Sequence, residues 1–147
     1  MVTELNKSTE ANKTSLRRFY DEVFNKKNRA AIGEFIAPKQ VDHAAPPGTP
    51  GGIEGAKQTL TMYLTAFPDL HFTVEDIIAE GDKVVARLTI RGTQQGAFMG
   101  IAPTGKQVTV TAIDINRIVD DKSLEHWLEM DTLGLLQQLG VIPAPGQ

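Results

Sequence analysis

The chain of 147 residues contains no cysteine. This absence excludes disulfide bonds, zinc sites with thiolate ligands and thiol nucleophiles. The chain also has no P-loop, no dinucleotide-binding fingerprint, no GxSxG elbow and no HExxH sequence. Its three histidines, His43, His71 and His126, are far apart, and no two of them stand at i, i+4. We therefore expect no metal site.

Long apolar runs and a strong excess of one charge are also missing. No stretch approaches the roughly 18 consecutive apolar residues that a membrane-spanning helix needs, and residues 1–14 are too polar for a signal peptide. Lys and Arg number 15 against 18 Asp and Glu, so the net charge is only −3. We expect a cytoplasmic protein that binds neither nucleic acid nor a membrane.

The composition is that of one folded domain. Hydrophobic residues make up 41% of the chain and charged residues 22%, which is typical of a globular protein. The length is that of one ordinary domain. We treat residues 1–147 as a single domain with loose tails at 1–13, where the sequence is polar, and at 142–147, where it is rich in proline.

The first half of the chain has helical periodicity. In residues 14–27 apolar side chains recur at i, i+3, i+4, i+7 and i+8, which predicts an amphipathic helix. A short second helix that includes Ile36 ends at Pro38, and a third covers residues 53–67. The segment 41–52 between them contains three prolines and three glycines and predicts a loop.

The second half has the alternation of β-strands. Strands are predicted over residues 70–79, 83–91, 107–118 and 124–130, before a short helix over residues 132–139. Helices followed by an antiparallel meander are the α+β pattern. If the sheet is strongly curved with the helices on its concave side, the domain is a cone that encloses a pocket for a small molecule.

The last strand carries the densest chemistry, and its two faces differ. One face comprises Glu125, Trp127, Glu129 and Asp131; the other comprises Leu124, His126, Leu128 and Met130. In one interpretation the acidic face lies in solvent and the other face in the core. In the second, the acidic face lines the pocket, with Trp127 as its wall and Asp131 at its mouth or floor. The Leu128 and Met130 face would then meet a second subunit.

Glu125-His126-Trp127, then Asp131, then residues 133–140 resemble the closing signature of the SnoaL-like polyketide cyclases, also called ester cyclases. Further segments resemble the family in order along the chain: 18–25, 41–43, 67–70 and 91–105. Each motif is weak alone, but their order and spacing together are fairly specific. The resemblance covers residues 16–140, nearly the whole chain.

The resemblance implies the NTF2-like cone: N-terminal helices packed on a curved antiparallel sheet around a pocket. It implies association through the sheet, so we expect a homodimer or homotetramer. Characterised members close a ring in an aromatic polyketide ester by intramolecular aldol condensation. They use no metal or organic cofactor and rely on an aspartate as acid and base. By motif position, that aspartate is Asp131.

The chain departs from the family in the loop over residues 92–105. Relatives often carry a histidine and an acidic residue where this chain has Gln94 and Ala97, neither of which can transfer a proton at neutral pH. The strand over residues 107–118 also lacks a histidine. If Asp131 needs a partner, His43 is the candidate.

Each candidate residue also has a purely structural interpretation. Asp131 stands where a strand turns into a helix, so it is a catalytic base, an N-cap, or both. His43 is a pocket group or a hydrogen-bonded loop histidine. Arg87 binds an ester or enolate oxygen if its face is concave, and otherwise is an exposed or ion-paired strand residue. Asp114, in an otherwise apolar and threonine-rich strand, is expected to pair with Arg87 or Arg117. The remaining candidates for substrate contact, with core packing or a lid over the pocket as alternatives, are Tyr20, Phe24, Phe67, Phe98 and Met99.

We therefore expect a cofactor-independent cyclase acting on a small hydrophobic or aromatic molecule that carries carbonyl groups. Asp131 would take a proton from a carbon flanked by carbonyls, His43 or Arg87 would stabilise the enolate oxygen, and Trp127 would hold the ring system. Two alternatives stay open. One is another enzyme on the same cone, an isomerase, dehydratase or epoxide hydrolase; the other is a non-catalytic protein that binds a small molecule.

Overall fold

The computed structural model describes residues 2–146. In chain order the helices are α1 (Val2–Phe19), which continues into a π-helical turn (Tyr20–Asn25), a 3-10 turn (Arg29–Ala31), α2 (Ile32–Phe35), α3 (Gly52–Ala66) and α4 (Thr132–Gln138). The strands are β1 (Ile36–Asp42), β2 (His71–Glu80), β3 (Lys83–Thr93), β4 (Gln107–Val119) and β5 (Lys122–Met130). Within residues 2–146, no helix is both long enough and apolar enough to span a membrane.

The first helix is longer than its apolar pattern predicted. It begins at Val2 rather than at residue 14, so most of the polar segment expected to be loose is helical. The buried Asn12 gives one physical reason, because its side-chain amide donates a 3.3 Å hydrogen bond to the carbonyl oxygen of Ile118 on β4. At the other end of the chain, residues 142–146 contain no helix or strand.

A fifth strand replaces part of the second helix. The helix that we expected to include Ile36 ends at Phe35, and Ile36 begins β1. β1 lies at the edge of the sheet and pairs in parallel with β5, so the sheet is mixed rather than wholly antiparallel. Pro38, which we expected to end a helix, lies inside this strand, and an edge strand tolerates proline because one of its sides needs no ladder hydrogen bonds.

The sheet has the order β1-β5-β4-β3-β2, and its four antiparallel strands follow one another as predicted. The turn between β4 and β5 has positive φ at both Asp120 (51°) and Asp121 (63°), as in the tight turns that suit the twist of a hairpin. Register then places Ala86 of β3 opposite Asp114 of β4, and Asp114 opposite Leu128 of β5. All three side chains therefore lie on the same face.

One face of the sheet is covered by helices and forms the core. On β3 and β4 the buried side chains alternate strictly, and on β4 they are Val108, Val110, Ala112, Asp114, Asn116 and Ile118. α1 contacts β2 and β3, while α3 contacts β1. This α+β arrangement of helices on one curved face is the predicted fold class, and it makes every even-numbered residue of β4 face inward.

The loop between β3 and β4 is held by the side chain of Gln94. This side chain is fully buried, donates to the carbonyl oxygen of Ile101, and accepts hydrogen bonds from the amide and hydroxyl of Thr104. Gly96 lies against the end of α3, where a Cβ atom would come within 2.2 Å of the Thr65 carbonyl oxygen. Gln94 therefore has a structural role in this loop.

Candidate active site

The main cavity lies between the helices and the inner face of the sheet and has a volume of about 110 Å³. Most of its wall is apolar. The polar or ionisable side chains that line it are Tyr20, Gln40, Asp42, Thr59, Tyr63, Asp114, Asn116 and His126. Tyr20 comes from the π-helical turn, Thr59 and Tyr63 come from α3, and the other five come from β1, β4 and β5.

Asp114 is the central acidic group of this cavity. It lies on β4 with only 4% of its surface exposed. One carboxylate oxygen accepts a short hydrogen bond from the hydroxyl of Tyr20 and a 3.1 Å bond from the side-chain amide of Asn116. The other contacts Nε2 of His126 in a second short hydrogen bond. A buried carboxylate is stable only with such partners, and Asp114 has three.

His126 lies between two carboxylates. Its Nε2 contacts Asp114, and its Nδ1 lies 2.8 Å from a carboxylate oxygen of Asp42. Burial alone would lower the pKa of His126, but the charges and hydrogen bonds of Asp114 and Asp42 outweigh it and raise the pKa to about 10. The ring is therefore a charged imidazolium at neutral pH, and both of its nitrogens donate.

Tyr20 and Asp42 end this chain of hydrogen bonds. Burial, followed by the charge of Asp114, raises the pKa of Tyr20 well above its ordinary value, so its hydroxyl stays neutral and donates to Asp114. Burial alone would raise the pKa of Asp42, but its hydrogen bond to His126 holds it below its ordinary value. Hydrogen bonds join these four residues in the order Asp42–His126–Asp114–Tyr20. We call this series the relay, and it can hold and move a proton inside the cavity.

The remaining wall is aromatic. Phe24, four residues after Tyr20, stacks on Phe72 of β2 with ring centroids 4.2 Å apart and an interplanar angle of 15°. Both rings line the cavity. The π-helical turn widens the helix by one residue per turn at the point where Tyr20 and Phe24 enter the cavity, and such turns often occur at functional sites.

Asp131 does not line this cavity, and its predicted position at the mouth or floor is wrong. It is exposed and accepts a 2.9 Å hydrogen bond from the backbone amide of Gly134, which makes it the N-cap of α4. The reason lies in the register of the last strand. Asn116 faces His126 and Ala112 faces Met130, so His126, Leu128 and Met130 face inward and the odd-numbered residues between them face outward.

The same register overturns the second interpretation of β5. Trp127 lies on the outer face, where it stacks on His43 at 5.1 Å and the ammonium group of Lys83 lies 5.5 Å from its ring centroid. His43 contacts Glu125 at 2.7 Å on that face. Neither Trp127 nor His43 lines the cavity. Leu128 and Met130 do line it, so they are not the face that we expected to meet a second subunit.

Arg87 also lies outside the cavity. It is exposed, and its guanidinium group donates a 2.6 Å hydrogen bond to Asp76 on the neighbouring strand β2. The expected pairing of Arg87 with Asp114 is wrong, because Arg87 lies opposite Ile113 and the pleat sends Arg87 and Asp114 to opposite faces.

The five aromatic and apolar candidates separate into three groups. Tyr20 and Phe24 line the cavity. Phe67 and Phe98 are buried against each other with ring centroids 5.3 Å apart, beside a pocket of only about 20 Å³. Met99 is 68% exposed at the tip of its loop. Phe98 is therefore part of the core rather than a lid, and Met99 contributes nothing to the wall.

Three residues of the relay were not assigned to the site from the sequence. The sequence predicts Asp114 to be an ion-pair residue and places His126 on one face of the last strand without a catalytic role, while Asp42 stands only within the family motif at residues 41–43. One signal was present: Asp114 stands in phase with the apolar Val108, Val110 and Ala112, so it had to share their buried face. A carboxylate in such a position needs a partner on a neighbouring strand.

The geometry defines an NTF2-like α+β fold whose cavity holds a charged relay, and the comparisons with known proteins agree with the fold. A sequence model of the SnoaL-like polyketide cyclases matches residues 14–139. The chain is 29% identical over 122 residues to the aklanonic acid methyl ester cyclase DnrD of Streptomyces peucetius, covering 81% of this chain and 84% of that protein.

Solved structures give the same result. TsrD of Streptomyces laurentii superimposes with a TM-score of 0.83 at 32% identity, covering 90% of this chain and 97% of TsrD. IdmH of Streptomyces antibioticus superimposes with a TM-score of 0.76 at 36% identity, covering 88% of this chain and 99% of IdmH. The chain belongs to the SnoaL-like polyketide cyclase family.

Proposed function

We propose that this protein is a cofactor-independent cyclase that closes a ring in a small polyketide-like carbonyl or ester molecule by an intramolecular aldol-type reaction. The observation that carries the proposal is the buried carboxylate of Asp114, held in an otherwise apolar cavity between the Tyr20 hydroxyl and the His126 imidazolium. A perturbed acid–base pair in a cleft of this kind is typical of a catalytic site.

The reaction moves one proton, which Asp114 of the relay takes from the substrate and later returns to it. Asp114 takes a proton from a carbon flanked by carbonyls, and the electron pair of the broken C–H bond moves into the enolate. Because the imidazolium of His126 lies next to Asp114, its positive charge stabilises the negative charge that forms on the enolate oxygen. The enolate carbon then forms the new C–C bond at a second carbonyl of the same molecule.

The second carbonyl becomes an alkoxide, and Asp114 returns the proton to it. No atom is gained or lost, so the reaction isomerises an open chain to a ring. Asp42 contributes indirectly, because its carboxylate keeps His126 charged. Every proton is held by a side chain, and the scheme requires no cofactor.

The cavity limits what can react inside it. An apolar cavity of about 150 Å³ holds benzene, so the volume of about 110 Å³ here suits a reacting group of one small ring. The stacked Phe24 and Phe72 rings give such a group an apolar contact surface and help to exclude water. The charged relay favours catalysis over the alternative of simple binding, because a pure binding pocket has no need of a buried ion pair.

The first step can be tested before the substrate is known. Methyl 2-methyl-3-oxobutanoate carries one exchangeable hydrogen between a ketone and an ester, and its replacement by deuterium is followed by proton NMR in D₂O. We expect the protein to accelerate this exchange. Asp114→Asn should reduce the protein-catalysed rate about 100-fold or more, which is the usual size of a general-base contribution.

Asp131→Asn is the matched control, because it also changes an aspartate to asparagine but lies outside the cavity. We expect it to exchange the probe at the wild-type rate. Full activity in a folded Asp114→Asn variant, or loss of activity in Asp131→Asn, would contradict the proposal. If the wild-type protein does not accelerate exchange at all, the binding-protein alternative takes its place.

A further inference from the structure

The hydroxyl of Thr59 is buried without a hydrogen-bond partner. Within the part of the chain that the structure describes, it is the single buried side-chain oxygen or nitrogen in this condition. Its near neighbour Thr61 on the same helix behaves differently, because its hydroxyl donates a 2.8 Å bond to the carbonyl oxygen of Lys57, four residues earlier. The same local bond is the usual way for a helical threonine to satisfy its hydroxyl.

Thr59 lies on the wall of the main cavity. It shares one face of α3 with Tyr63, since residues four apart on a helix lie one above the other, and Tyr63 lines the cavity as well. The α3 wall therefore presents two hydroxyl groups. A buried hydroxyl that forms no hydrogen bond destabilises a protein, so a group in this position calls for a partner inside the cavity.

The two walls of the cavity differ in charge. Asp114, Asn116 and His126 on the sheet carry or contact the charged relay, whereas Thr59 and Tyr63 on α3 are neutral hydroxyls. Burial, with a smaller contribution from the charge of Asp42, raises the pKa of Tyr63, so this group stays protonated. The α3 wall therefore suits an uncharged ligand oxygen, such as a carbonyl, ether or hydroxyl oxygen.

We propose that Thr59 is a specificity-determining residue whose hydroxyl binds an uncharged oxygen of the ligand. The ligand class is then a compact ring with oxygen at opposite ends, one oxygen at the relay and the other at Thr59. The inference deepens the proposed function and rests on it for the role of the relay. Binding through Thr59 itself requires no turnover.

Two probes that differ by one oxygen test this assignment. Cyclohexane-1,4-dione has two opposed carbonyls, and in 4-methylenecyclohexanone one of them is replaced by a methylene of similar shape. Dissociation constants for both are measured by chemical-shift titration of the ¹⁵N-labelled protein. We expect the wild-type protein to bind the dione about three- to tenfold more tightly, as one net hydrogen bond would give.

Thr59→Val removes the hydroxyl but keeps the shape of the side chain. We expect it to lose the preference for the dione while its affinity for 4-methylenecyclohexanone stays the same. Thr61→Val makes the same change on the same helix, where the hydroxyl is already satisfied, and should keep the wild-type preference. Thermal unfolding of both variants confirms that they are folded.

Three results would overturn the inference: a wild-type protein with no preference between the probes, a folded Thr59→Val variant that keeps the preference, or no binding of the dione up to its solubility. The deuterium-exchange assay reports on the relay independently. A Thr59-dependent preference without catalysed exchange would leave the inference standing and remove the proposed cyclase activity. Catalysed exchange without a Thr59-dependent preference would support the proposed cyclase activity and remove the inference about Thr59.

Discussion

β5 carries one histidine–carboxylate pair on each of its faces. On the outer face, Glu125 contacts His43 at 2.7 Å, with 27% and 43% of their side chains exposed. On the inner face, His126 contacts Asp114, with 20% and 5% exposed. Glu125 and His126 are adjacent in the sequence, and the pleat alone sends them to opposite sides of the sheet.

The difference shows that position, rather than residue type, makes an acid–base site. The outer pair is in contact with solvent, where an ion pair contributes little to stability and water competes for every hydrogen bond. The inner pair faces an apolar cavity, and there the two neighbouring carboxylates raise the pKa of His126 to about 10. A proton in the inner pair can be used in chemistry from which water is excluded.

A buried charge cluster has to be complete to be stable. Asp114 accepts from Tyr20, Asn116 and His126, and His126 in turn contacts Asp42. Asn116 is itself held by Ser123, whose hydroxyl donates a 2.6 Å hydrogen bond to the side-chain oxygen of Asn116. Removing one member leaves the other buried groups without a hydrogen-bond partner or an opposite charge, whereas the side chains of the outer pair can hydrogen-bond to water instead.

The largest effect is expected from removing each histidine in turn. His126→Gln removes the cation that lies between the half-buried Asp42 and the buried Asp114. It should therefore lower the free energy of unfolding by about 3–5 kcal/mol. His43→Gln removes the exposed partner of Glu125 and should change it by no more than the experimental error. Urea unfolding monitored by circular dichroism measures both variants.

An equally small loss in the two variants would break the comparison, because it would mean that burial on the inner face adds nothing. A large loss in both would instead point to His43, through its stacking on Trp127, as a structural residue in its own right.

The next effect is the dependence of this stabilisation on pH. The folded pKa of His126 is about 10 and its ordinary value is 6.5. Because the folded value is the higher one, the contribution is complete below pH 6.5 and is lost as the pH rises through 10. The difference in unfolding free energy between wild type and His126→Gln should therefore shrink over this range, by at most about 1.4 kcal/mol per pH unit.

The control is His71→Gln, which removes an exposed histidine from the first position of β2. Its difference from wild type, measured over the same pH range, is the reference against which the trend for His126→Gln is judged. A difference between wild type and His126→Gln that stays constant across the same range would contradict the assignment of His126 as a permanent imidazolium, and with it the role of Asp42 in holding the charge.

The sequence pattern predicts most of the helices and strands, but it does not show which face of the sheet is concave. Alternation separates Glu125 and Trp127 from His126 and Leu128, yet both faces mix polar and apolar residues. The choice depends on which face the helices cover, and this is a property of the tertiary packing. The apolar, in-phase residues of β4 were the better guide, because they fix Asp114, and by register His126, on the buried side.

The missed strand β1 explains the missed end of the relay. Its residues Ile36–Asp42 include Pro38 and show no clear alternation, so local pattern gave no reason to expect a strand. It is held by parallel pairing with β5, a contact between residues about 84 positions apart in the chain, as in Asp42 opposite His126. Without β1 the sequence offered no means of bringing Asp42 to the cavity.

The smallest effect separates the two roles considered for Asp131. If its function is to cap α4, Asp131→Ala should lower the free energy of unfolding by about 1 kcal/mol, since the amide of Gly134 loses its acceptor. Asp131→Asn should cost much less, because asparagine caps a helix about as well as aspartate. If Asp131 were instead a catalytic base, both substitutions would abolish deuterium exchange and leave the free energy of unfolding unchanged. Since the carboxylate is exposed and its hydrogen-bond partner is the helix itself, we expect stability to follow the capping order and exchange to remain at the wild-type rate.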